Sequence, residues 1–179
     1  MGYILFHAFR IADHPPGYEM RKARNLNIDR DADVECYRCV VGKGEKKEKL
    51  AEVLLDPLCD PAERTIILVK SRLTADFVAL YLSTTIGLPV NNIHEERQMD
   101  EMEKAVVEFR SGDKPILVVT PACTHDLVLA LGTRDVAHII NFDTLEDVDK
   151  LLLLIGYWDN PGKLTTFEEP SVTFRMHGI

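Results

Sequence analysis

Apolar positions along the chain fall into two alternating kinds of run. Short unbroken aliphatic blocks, such as Ile66-Ile67-Leu68-Val69 and Ile116-Leu117-Val118-Val119, are separated by longer stretches in which apolar residues return every three or four positions. An unbroken block of that length suits a strand covered on both faces, and the longer spacing suits a helix lying on a sheet. The pattern predicts strands over 34–41, 65–69, 90–93, 116–119 and 136–142. Between them fall a helix carrying Leu50, Val53, Leu54 and Leu58, then helices over 74–84, 98–110 and about 124–131. A helix over 145–155 and closing strands near 164–167 and 172–174 complete the order. Strand and helix alternating in this way build a doubly wound α/β sandwich on a mainly parallel sheet. Residues 1–33 read as an N-terminal extension, with a candidate added strand over 3–9 and then a loop marked by His14-Pro15-Pro16-Gly17. The main domain is expected over 34–179.

Composition narrows the class. A chain of 179 residues is one domain of ordinary size, and 46% hydrophobic with 28% charged residues is a globular balance. The 21 basic residues against 29 acidic ones leave a net charge of −8, which opposes broad attraction to nucleic-acid backbones or anionic membranes; any contact with RNA has to be local. No apolar run approaches the roughly 18 to 20 residues of a membrane span, and the 3–9 run is broken by His7 and lacks the flanks of a signal peptide. Phe6 stands where a myristoylation motif after Met1-Gly2 wants Ser or Thr. Cys36, Cys39, Cys59 and Cys123 are too few and too scattered for a disulfide framework, so a reducing, cytoplasmic setting is expected.

Motifs for common chemistries are incomplete. Gly42-Lys43-Gly44-Glu45 lacks the spacing and the hydroxyl residue of a phosphate-cradling loop and reads as a plain turn. Cys36 and Cys39 have CxxC spacing without a second ligand pair, so strand residues are favoured and no metal is expected. His7, His14, His94, His125, His138 and His177 are dispersed, with no nucleophile beside them. Glu95 with Glu96, and Asp147 with Asp149, suit helix starts better than an acid–base pair.

The order of segments nonetheless resembles a known family. Arg64 to Val69, Ala75-Asp76-Phe77 through Leu82, Ile93-His94-Glu95-Glu96-Arg97, Phe109-Arg110-Ser111-Gly112, Pro115 to Thr120 and His138-Ile139-Ile140-Asn141-Phe142-Asp143 form a colinear series. That series is similar to the C-terminal lobe of DEAD-box RNA helicases, from about Val34 to Phe167. The resemblance implies a RecA-like three-layer sandwich and a parent protein classed as an ATP-dependent RNA helicase. It also implies RNA-facing residues, carried here by Ser71, Arg72, Arg97, Arg110, Gly112 and Thr120. Two roles stand for these: a grip on a few phosphates, or solvated helix ends with Gly112 as a helix terminator.

Elsewhere the chain departs from the family's pattern. Its last motif resembles HRIGRTGR, whose arginines reach the nucleotide phosphates, but 153–160 keeps only Ile155 and Gly156. Since an arginine finger is worth roughly 10³ to 10⁵ in rate, the chain itself is expected not to be an enzyme and to need no cofactor. The family's QxxR falls on Met99 and Met102. Its TxVAARGLDI begins at Thr120 but meets His125, Asp126 and Val128, unless 132–135 supplies the match.

What replaces the old site is Leu151 to Trp158. Leu153, Leu154, Tyr157 and Trp158 either form an interface, with a second copy as the expected partner, or pack into the core. This decay resembles the helicase-like lobes of tudor-domain proteins in germline small-RNA pathways, the Yb group among them. Such a resemblance implies Piwi-interacting RNA biogenesis, a perinuclear granule, and a longer parent protein. Three roles follow, in order: a non-catalytic scaffold or self-association domain, a residual single-stranded RNA-binding module, and half of a helicase that needs its other lobe.

Overall fold

The computed structural model describes residues 34–42, 44–56, 63–131, 136–143 and 162–169. Among them are six strands, β1 (Val34–Val40), β2 (Thr65–Leu68), β3 (Val90–Ile93), β4 (Ile116–Val119), β5 (His138–Asn141) and β6 (Gly162–Glu168). The helices are α1 (Lys46–Leu54), α2 (Arg72–Leu80), α3 (Met99–Ser111) and α4 (Pro121–Leu131). The strands form one sheet in the order β1-β6-β5-β2-β4-β3, and every neighbouring pair is parallel. β2 sits between β4 and β5, with Leu68 level with both Val119 and Asn141.

Every residue of β2, β4 and β5 is buried, the polar Thr65, His138 and Asn141 included, as strands covered on both faces require. Successive side chains leave a strand on opposite sides, so β2 divides its load. Ile67 joins Leu50, Val78, Leu82, Phe142 and Phe167 on one face, while Ile66 and Leu68 join Ile93, Phe109, Leu117 and Leu127 on the other. Helices on both faces complete the doubly wound α/β sandwich expected from the residue pattern, in the three-layer form that the family resemblance implies.

Boundaries of three helices differ from expectation: α1 ends at Leu54, whereas the expected helix also carried Leu58, which lies outside the described residues, and α2 and α4 open earlier. α2 opens at Arg72 rather than Thr74, because the Ser71 hydroxyl accepts a hydrogen bond from the Thr74 N–H at 3.2 Å and caps the helix. α2 then continues as a π-helical turn over Tyr81–Ile86, where the Ser83 and Thr84 hydroxyls donate to the Leu80 carbonyl at 3.1 and 2.7 Å. Gly87, left-handed at φ 81°, ends it. α4 opens at Pro121 rather than near Thr124, since proline needs no N–H partner at a first helical position. Thr124 lies inside that helix and donates its hydroxyl to the Thr120 carbonyl at 3.1 Å.

At 42–45 the chain makes a turn, the Glu45 N–H donating to the Gly42 carbonyl at 3.1 Å with Gly44 at φ 99°. Cys36 and Cys39 both lie on β1, and Cys39 is wholly buried. The extension 1–33, the helix expected over 145–155, the strand over 172–174 and the interface residues Leu153, Leu154, Tyr157 and Trp158 lie outside the described residues.

Candidate functional site

In a parallel sheet all strands end along the same edge, and ligands of α/β proteins bind in the crevices outside those carboxyl ends. Here the edge is built from Lys70, Ser71 and Arg72 after β2, His94 to Arg97 after β3, Thr120 after β4, and Phe142 and Asp143 after β5. Hydrogen bonds between the loops hold it together. Asp143 accepts from the Lys70 backbone N–H at 2.8 Å, and the Thr120 N–H donates to the Ile93 carbonyl at 3.2 Å.

Four of the six RNA-facing residues expected from the family resemblance meet on this edge: Ser71, Arg72, Arg97 and Thr120. Each is already engaged. Ser71 caps α2. Arg72 pairs with Glu96. The Thr120 hydroxyl donates to Glu95 Oε2 at 3.0 Å. One Arg97 Nη donates to Asn92 Oδ1 at 2.6 Å and lies 3.7 Å from Asp76, while the other lies 3.5 Å from Glu101. Asp76 is the hub, for its Oδ1 also accepts from Asn92 Nδ2 at 2.6 Å and lies 3.3 Å from His94 Nε2. Hydrogen bonds from the backbone at Glu95 itself and from Thr120 hold the Glu95 carboxyl below the usual carboxylate range.

Among the described residues the edge is therefore acidic. Asp76, Glu95, Glu96, Glu101 and Asp143 outnumber Lys70, Arg72 and Arg97. These pairs are largely exposed and each contributes only about 0 to 1 kcal/mol to stability. Their larger effect is on an incoming anion, which meets carboxylates where it would need free guanidinium groups.

Arg110 and Gly112 lie at the opposite edge. They end α3 just before β4 begins, and Arg64, just ahead of β2, donates to the Phe109 and Arg110 carbonyls at 2.9 and 2.6 Å. Gly112, at φ 85°, returns its N–H to the Phe109 carbonyl at 3.2 Å and terminates the helix. Strands four residues long put about 13 Å between the two edges, so the six residues form two groups. His125 and Asp126 fall on α4.

Sequence reasoning missed Asp76, Asn92 and Glu101. Glu101 was within reach, since it stands in the first turn of the helix that follows Arg97, four positions on. Nothing in the local spacing joins Asp76 to Asn92 and His94; only the packing of α2 beside β3 does.

Residues 45–156 match the model of the helicase conserved C-terminal domain. The probable ATP-dependent RNA helicase DDX4 of Pelophylax lessonae is 34% identical over 125 residues, covering 70% of this chain and 16% of that protein. The ATP-dependent RNA helicase vasa of Drosophila melanogaster is 30% identical over 142 residues, covering 78% of this chain and 20% of its own length. The match thus spans only a fifth or less of these relatives. Among solved structures, a DEAD box protein from Methanococcus jannaschii superposes with a TM-score of 0.64 at 17% identity, covering 82% of this chain and 38% of that one, a likeness of fold.

Proposed function

Because the chain belongs to the helicase conserved C-terminal domain family, we propose that it is the C-terminal RecA-like lobe of an RNA-helicase-like protein and serves in protein binding or self-association instead of turning over ATP. The observation that carries this is the strand-end edge. Arg72 and Arg97 are held by Glu96, Asp76 and Glu101, and the Thr120 hydroxyl is given to Glu95. A lobe that closes on nucleotide or RNA phosphates needs those groups free. The loss of arginines over 153–160 points the same way. A setting in a cytoplasmic RNA-processing granule of the germline small-RNA type is proposed with it, supported by the resemblance to the Yb group.

Residual binding of single-stranded RNA is the second reading, favoured by the meeting of Ser71, Arg72, Arg97 and Thr120 on one edge. Light scattering across a concentration series, with and without a short single-stranded RNA, separates the two. The scaffold reading expects mass to rise with protein concentration and no RNA complex. A strict monomer that binds RNA, loses it with rising salt and loses it in Arg72→Ala or Arg97→Ala overturns that reading in favour of the second.

A further inference from the structure

The turn that joins β3 to α3 carries two carboxylates onto the strand-end edge. It is anchored from below. The Arg97 N–H donates to the His94 carbonyl at 3.0 Å, and the Glu96 N–H donates to His94 Nδ1 at 3.3 Å. The His94 ring is buried, with its Nε2 facing Asp76, while the Glu95 and Glu96 side chains stand exposed. From that fixed turn Glu95 accepts the Thr120 hydroxyl at 3.0 Å, and Glu96 pairs with Arg72. A carboxylate offers acceptor oxygens and one negative charge, as each phosphate of a nucleic-acid backbone does, and it satisfies the same donors, a guanidinium and a hydroxyl.

We infer, resting on the reading that this lobe leaves RNA unbound, that Glu95 and Glu96 are the residues that decide it: they stand in for phosphates and close a grip on the backbone of single-stranded RNA that the rest of the edge retains. Charge agrees. Of the five carboxylates set against three cations on the described edge, these two are the surplus, and without them the edge holds three of each. Release is selective. Among the described residues Glu96 and Glu95 are the partners of the Arg72 guanidinium and the Thr120 hydroxyl, so removing the two carboxylates frees both donors. Arg97 stays where Asn92, Asp76 and Glu101 hold it. Arg72, Thr120 and Arg97 follow β2, β4 and β3, which lie side by side, so the basic and donor groups spread over two strand spacings, about 10 Å. That width exceeds a single phosphate and suits a backbone crossing the edge.

The test is binding of a short fluorescent single-stranded RNA to the full chain, followed by anisotropy. The wild-type chain is expected to leave the RNA free. Glu95→Ala with Glu96→Ala is expected to bind it saturably, roughly tenfold or more tighter than wild type, with affinity falling as salt rises. Adding Arg72→Ala to that pair is expected to remove the gain. Glu48→Ala with Glu52→Ala takes the same two charges from α1, where each glutamate also pairs with a lysine, and is expected to gain nothing. Glu95→Gln with Glu96→Gln keeps the shape of both side chains and is expected to give the same gain; it decides the matter where the alanine pair melts early. An equal gain in the α1 variant, a gain that survives Arg72→Ala, or one that inorganic phosphate at the RNA's own concentration displaces overturns the proposal. So does a folded variant that binds no better than wild type, an outcome that leaves the protein-binding reading standing. RNA bound by the wild-type chain overturns that reading and the proposal together.

Discussion

His138 shows what burial does to one titratable side chain. Its ring lies on β5 between covered faces, with Nε2 2.8 Å from the Thr165 hydroxyl of β6. Burial, with Lys163 adding a like charge nearby, lowers its pKa from 6.5 to about 3. Above pH 6.5 the ring is neutral whether the chain is folded or not, and it contributes no pH dependence. Below that the unfolded chain takes up a proton that the folded one refuses, so stability falls as pH falls, until the folded pKa is reached. The slope is about 1.4 kcal/mol per pH unit from this group. Urea unfolding at about pH 7 and pH 5 is expected to show that loss, and His138→Val is expected to flatten it. The depressed Glu95 and Glu108 carboxylates act in the same direction only at lower pH, where their protonation removes stability present above the ordinary carboxylate value.

At the scale of elements, helix ends carry much of the local information. The Ser71 cap and the left-handed Gly112 each satisfy backbone groups that a helix terminus leaves open. Ser71→Ala is expected to cost about 1 kcal/mol. Gly112→Ala is expected to cost about as much, from the backbone alone, since a Cβ there meets nothing within 4 Å. Denaturant midpoints report both, and neither substitution should change the m-value. Ser71 and Gly112 also show how a family resemblance and a structural role overlap: the resemblance implies an RNA-facing role for each, and each is occupied here in capping a helix, Ser71 at the start of α2 and Gly112 at the end of α3.

At the scale of the molecule, the sheet separates two cores that share only backbone. Phe109 is wholly buried on one face and Phe167 on the other, the latter against Phe142 with ring centres 5.8 Å apart. Phe109→Leu and Phe167→Leu are each expected to cost about 1 to 2 kcal/mol. Because the sites lie on opposite faces of the sheet, in separate clusters of buried side chains, the double variant should lose the sum to within about 0.5 kcal/mol in urea unfolding. A larger departure would mean that the sheet transmits strain between its faces.

Much of the fold was legible along the chain, because a strand buried on both faces has to be continuously apolar and a covering helix has to repeat its apolar residues every three or four positions. Residues 116–119 have the same bounds in the pattern and in the structure for that reason. The turn at 42–45 was legible too, as were the arginines missing from 153–160. What only the tertiary structure decided is which distant residues meet. β2 lies between β4 and β5, β6 comes to lie beside β1, and α2 packs against β3, so that Asp76 reaches Asn92, His94 and Arg97. The same packing parts Arg110 and Gly112 from Arg72 and Arg97, and it turns Leu73, Phe77 and Leu80 outward while Ala75 and Val78 go in. Period reports the face of an element, whereas the neighbour of that face is set by chain crossings that no local spacing encodes.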